Sequence, residues 1–143
     1  MGAKLIFFQL NIKLKSLGIS AFIFLTNVVS CWSKSYFLYG GLFLILVLTS
    51  YIVHNHDTIY TNLLDKIPIV CIVCYGFFYL FIRPYNCLLA FIIMGTFLGV
   101  LALYILGFMC KCFIFDSNTY TSEDYHCMMH FISSVGHHFI CLL

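Results

Sequence analysis

Two small sets of polar residues stand out in a chain that has few others. Ser50, His54 and Asp57 fall at i, i+4 and i+7, so they share one face of any helix that runs past Val53, and Asp65 stands where the next apolar segment begins. His126, His130 and His137 fall at i, i+4 and i+11, again on one face, with His138 pointing elsewhere. Two histidines one turn apart make the simplest bidentate metal site a helix can offer, and a third imidazole from another helix completes the three-ligand, one-water arrangement of catalytic zinc. His54 is the natural third ligand, because it too stands at a helix end beside a serine and acids. An open zinc site lowers the pKa of its water to about 7. Asp65 or Asp57 is then placed to accept the proton, and Ser50 to donate to a developing oxyanion. The chemistry is metal-assisted hydrolysis of a carbonyl compound that reaches the site from the membrane.

Each set also has a plainer reading. An HxxxH pair recurs in helices that bind nothing. His54, His56 and Asp57 lie in a polar connection and suit solvation at headgroup level, while His137 and His138 suit snorkelling to an interface. Cost is what favours the metal: an ionisable group at bilayer depth costs roughly 2.5–3.5 kcal/mol on insertion scales, and two such sets occur together here.

The elements that must position these residues are apolar. Of 143 residues, 63% are hydrophobic and 8% charged, and the mean hydropathy is +1.04, whereas a soluble domain carries about 25% charged residues. So few charges cannot build a water-facing surface, and the solvent for most of the chain is lipid. Apolar segments at about 16–33, 35–53, 67–82, 84–110 and 125–143 predict an all-α integral membrane bundle, a single domain over 1–143 with about five transmembrane helices, since lipid obliges each segment to satisfy its own backbone. His54 to Lys66 reads as a polar connection and Asp116 to Asp124 as the clearly hydrophilic loop. Residues 84–110 exceed the roughly 20 needed for one crossing and fall short of two, which implies tilt or an interfacial extension. Met1 to Lys15, with Lys4, Lys13 and Lys15 interspersed, reads as an interfacial helix or signal-like lead without a convincing cleavage site. Those lysines favour a cytoplasmic start by the positive-inside rule, although Lys34, Arg83 and Lys111 fall on both sides.

The net charge of +2 comes from scattered basic residues, so neither a nucleic-acid patch nor an acidic solvating tail is present. Eight cysteines are present. Cys71 and Cys74 form a CxxC without a second pair at zinc-finger spacing, and the set reads as small apolar fillers.

Several of these residues fall into a familiar order. Ser50-Tyr-Ile-Val-His54, followed by Leu63-Leu64-Asp65-Lys66-Ile67-Pro68, resembles the S-x-x-x-H … L-L-D-E-x-P signature of alkaline ceramidases. Arg83-Pro84-Tyr85-Asn86 resembles that family's basic-proline junction with a nearby asparagine. Cys112-Phe113-Ile114-Phe115-Asp116 resembles its C-W-I-S-D stretch, and His126-Cys127-Met128-Met129-His130 its L-H-x-x-W-H motif. The resemblance runs from roughly Thr26 to the end, with gaps, and is that of a shortened, divergent member of the CREST superfamily of membrane hydrolases and receptors. It implies a seven-helix bundle holding zinc on three histidines, which carry over to His54, His126 and His130. The family's serine carries over to Ser50 and its catalytic aspartate to Asp65. The implied reaction is hydrolysis of the amide of ceramide, a lipid of the bilayer, to a sphingoid base and a fatty acid, in endoplasmic reticulum or Golgi membranes.

The chain departs from that pattern at several points. The family's acidic amino-terminal calcium segment has no counterpart beyond Thr26-Asn27, with Ser20 where a glutamate would stand. Lys66 replaces a glutamate and Met129 a tryptophan, and five apolar segments stand for seven. Two alternatives follow. One is a catalytically inactive relative that binds sphingolipid or a membrane partner. The other is a lipid-remodelling (Per1-like) hydrolase, whose H-x-x-D-T fits His54, Asp57 and Thr58 and whose later histidine fits His137.

Overall fold

The structure, a computed structural model, describes residues 18–56, 58–83 and 86–143. Asp57, the Pro84-Tyr85 pair and the amino-terminal lysines lie outside the described residues. All regular structure among the described residues is helical: α1 (Phe24–Ser33), α2 (Phe37–Asn55), α3 (Ile59–Ile82), α4 (Cys87–Cys110), a 3₁₀ turn (Phe113–Phe115) and α5 (Thr119–Ile140). A turn of helix at 18–21 leads into α1.

Two helices begin earlier than the apolar pattern suggests, and polar side chains are the reason. At the start of α3, Thr58 Oγ1 accepts from the Thr61 backbone N–H (3.2 Å) while the Thr61 hydroxyl accepts from the Thr58 N–H (2.9 Å). This reciprocal capping box satisfies two donors that the first turn would otherwise leave bare. Helix therefore starts at Ile59 and absorbs most of the expected connection, which puts Asp65 in the second turn of α3 rather than at its beginning. Asn118 Oδ1 accepts from the Tyr120 N–H at 3.0 Å, so α5 likewise absorbs the second half of the expected 116–124 loop. Asn86 caps α4 in the same way, through the Leu88 N–H at 2.9 Å. Left-handed residues close the tight corners, Ser35 (φ 63°) between α1 and α2 and Lys111 (φ 53°) after α4.

The interior is an apolar core that also holds polar side chains, and much of the outside is apolar as well. Tyr39 and Phe43 are 1% and 0% exposed, but buried beside them are Asn27, Thr49, Ser50, Asp65, His130 and Ser134. Phe81 and Phe91, by contrast, are 79% and 77% exposed. Water would oppose that arrangement and lipid favours it. Among the described residues three segments are long and apolar enough to cross a membrane, namely α2, α3 and Cys87–Phe115, while Gly18–Ser33 is a shorter apolar helix. With 24 residues each, α3 and α4 extend about 36 Å, beyond the roughly 30 Å of a hydrocarbon core.

α2 packs between α1 and α3, and α5 packs against both α1 and α4. At Gly136 any Cβ would collide with the Thr96 hydroxyl, so glycine is what lets α5 lie this close to α4. Although consecutive, α3 and α4 are not a closely packed pair. They meet at the edge-to-face rings of Phe77 and Phe97, 4.8 Å apart, and the space between them is the cavity described next.

Candidate metal centre

The last turn of α2 carries Ser50 and His54 on one face, and the first half of α5 carries His126 and His130 on another. Their packing brings the three imidazoles together. Ring centroids lie 5.3 Å apart for His54 and His126, 6.1 Å for His54 and His130, and 4.7 Å for His126 and His130. One nitrogen from each lies within 4.8 Å of the others, which is a group that could hold a metal ion. Nitrogens sharing an ion at about 2.0–2.1 Å in tetrahedral geometry sit about 3.4 Å apart, so side-chain rotation of an ångström or so completes the site. His130 is buried and the other two half-buried, which keeps the centre at the wall of the fold and open to an incoming group.

His130 is held in place from outside the trio. Ser20 makes a 2.9 Å hydrogen bond with its Nδ1, and the Phe24 ring packs edge-on at 5.4 Å. With Nδ1 engaged, Nε2 is the nitrogen left to face an ion, an arrangement typical of ligating histidines. Asp65, buried on α3, accepts at Oδ1 from the Ser50 hydroxyl (2.7 Å) and the Thr49 hydroxyl (3.1 Å). Ser50 lies one turn from His54 on α2, so the carboxylate stands close to the trio.

Ser50, His54, Asp65, His126 and His130 all line one cavity of about 620 Å³, and the rest of its wall is mostly aliphatic and aromatic. That volume is within the range of ligand pockets, about 300–1,000 Å³. Asn62 and Lys66 also border it.

The remaining candidates go elsewhere. His137 bonds through Nδ1 to the Tyr39 hydroxyl (2.6 Å), with its ring 5.0 Å from that of Phe43; it lines the same cavity but is not one of the three. His138 has both ring nitrogens engaged, Nε2 with Thr26 and Nδ1 with Ser30, each at 2.9 Å. His137 is held by the Tyr39 hydroxyl of α2, whereas His138 is half-buried and meets two hydroxyls of α1, of which Thr26 is exposed. His56 is exposed.

Sequence reasoning did not find the Thr49 donor, the Ser20 contact or the polar seam between α1 and α5. In that seam Asn27 donates to the Ser134 carbonyl (2.9 Å) and accepts from its hydroxyl (2.7 Å). The available signal was the i, i+4, i+8 spacing of His130, Ser134 and His138, a polar stripe on an otherwise apolar helix.

Fold and site together define a class: an all-helical chain with membrane-length apolar helices and a three-histidine group able to hold a metal ion. In comparisons with known proteins, no family model, no curated protein and no solved structure matches the chain.

Proposed function

We propose that this chain is a zinc-dependent amidohydrolase of the bilayer, cleaving the amide of ceramide or a related sphingolipid to a sphingoid base and a fatty acid. One observation carries the reading: His54, His126 and His130 converge from two helices onto one wall of a largely apolar cavity, with a serine–aspartate pair beside them. Three neutral imidazoles with a fourth position open are the donor set of catalytic zinc. When bound there, zinc supplies a Lewis acid for a carbonyl and a water that ionises near neutral pH.

The chain's own residues do the rest. Asp65 accepts a proton at its carboxylate, and the hydroxyls of Ser50 and Thr49 hold that carboxylate in place. Ser50, freed when Asp65 is protonated, donates to the oxyanion. The apolar wall takes the hydrocarbon chains and excludes bulk water. In this reading α1 and α5 are membrane-embedded with α2, α3 and α4, five in all, a shortened form of the seven-helix ceramidase bundle residing in endoplasmic reticulum or Golgi membranes.

A second reading, an inactive relative that binds sphingolipid, is favoured by Ser20 standing where a calcium-binding glutamate would and by the five helices. The discriminating experiment pairs metal analysis of the purified chain with release of sphingosine from a fluorescent ceramide, for wild type and His126→Ala. Hydrolysis predicts about one zinc per chain and turnover, both lost in the variant. Ceramide binding without turnover by the metal-loaded wild type would establish the second reading instead. Release of ester-linked rather than amide-linked acyl chains would move the assignment to the lipid-remodelling branch.

A further inference from the structure

The eight cysteines divide sharply by environment. Six are exposed or half-buried, and two are buried, Cys31 in the last turn of α1 and Cys141 at the carboxyl-terminal cap of α5. These two meet. Their sulfurs lie 3.2 Å apart although the residues are separated by 110 positions in the chain.

Both cysteines stand at helix ends. The Cys31 carbonyl is part of the turn that follows α1, where it accepts from the N–H groups of Lys34 (3.2 Å) and Tyr36 (2.8 Å). Cys141 donates its N–H to the His137 carbonyl (3.2 Å), and Leu142 and Leu143 continue the turn by donating to Phe139 (3.0 Å) and Ile140 (3.2 Å). A disulfide needs an S–S separation of about 2.05 Å, a further approach of about 1.1 Å. Helix ends supply such a shift without breaking the interior hydrogen-bond ladder. On the other side Gly40 gives Cys31 room, since a Cβ there would press on the Cys31 Cβ at 3.3 Å.

We propose that Cys31 and Cys141 are a redox modification site, a dithiol that closes to a disulfide joining α1 to the end of α5 and reopens by thiol exchange. The oxidant is a small uncharged two-electron acceptor able to enter lipid, of the peroxide or azodicarboxamide class. Two S–H bonds break and one S–S bond forms. The two electrons and two protons pass to the oxidant, yielding two waters from hydrogen peroxide or one hydrazine from an azodicarboxamide. The reverse step consumes an external dithiol, which leaves as its own disulfide. The bond would fasten the same α1–α5 seam that Asn27, Ser134 and His138 hold by hydrogen bonds, and it requires no metal at the histidines.

The test uses the complete chain in lipid nanodiscs, treated with diamide, denatured in acid, alkylated and digested without reductant. Mass spectrometry is expected to find Cys31 and Cys141 mostly in one linked peptide, which disappears after dithiothreitol. A Cys141→Ser chain should leave Cys31 alkylated, and the unmodified chain decides the matter even if that variant folds poorly. Recovery of both cysteines as alkylated residues at saturating diamide, or capture of Cys31 by any other cysteine, would overturn the assignment.

Discussion

The two halves of α5 use the same side chain for opposite ends. In its first half, His126 and His130 turn toward His54 and toward each other, three imidazoles at ring separations of 4.7 to 6.1 Å. In its second half, His137 and His138 turn toward hydroxyls of Tyr39, Thr26 and Ser30. A histidine whose two nitrogens both meet hydroxyls has no lone pair to offer an ion, so His138 is part of the packing. His130, with Nδ1 held by Ser20 and two more imidazoles beside it, belongs to the group that could hold a metal ion. What separates a site from a seam is therefore the partner set.

The sharpest way to break this comparison is His130→Ala. It should reduce bound zinc from about one per chain to near zero and lower ceramide turnover by more than the 10–100-fold that loss of a supporting residue brings; full zinc content by elemental analysis would contradict the ligand assignment. Next, Asp65→Asn should keep the metal while lowering turnover about 10²–10⁴-fold, the usual range for a lost general base; activity within a few-fold of wild type would remove Asp65 from the chemistry. Ser20→Ala should weaken zinc affinity about 10–100-fold in a competition titration against a chelator, and an unchanged affinity would mean that the Ser20 bond does not orient His130. Acid should act on the metal group: imidazoles must be neutral to bind, so zinc affinity falls as the three histidines protonate, and an affinity that does not change with pH would point to other ligands. The smallest effect belongs to the seam. Asn27→Ala or His138→Ala should cost about 0.6–1.7 kcal/mol of stability, the range for hydrogen bonds between membrane helices, and leave zinc content unaltered.

Much of the site was legible because helical periodicity turns sequence spacing into a shared face. Ser50 with His54, and His126 with His130, needed only the 3.6-residue turn to be paired. Asp65 stood out as a carboxylate at the edge of an apolar segment. Helix starts were readable in principle, since Thr58 with Thr61 and Asn118 are capping residues, but their polarity made the same stretches look like loops. The contacts Ser20–His130, Thr26–His138 and Cys31–Cys141 were not legible, because they join residues 110, 112 and 110 positions apart. No local pattern encodes which faces of two distant helices will be set against each other.

That long separation has a consequence for how the chain is made. The amide of Asn27, buried in the finished fold, has its partners on Ser134, 107 residues downstream. At about 5–20 residues per second, a ribosome needs roughly 5–20 s to deliver them. Throughout that interval the polar groups of α1 wait for partners that α5 has yet to bring, so closure of the α1–α5 seam is timed by α5.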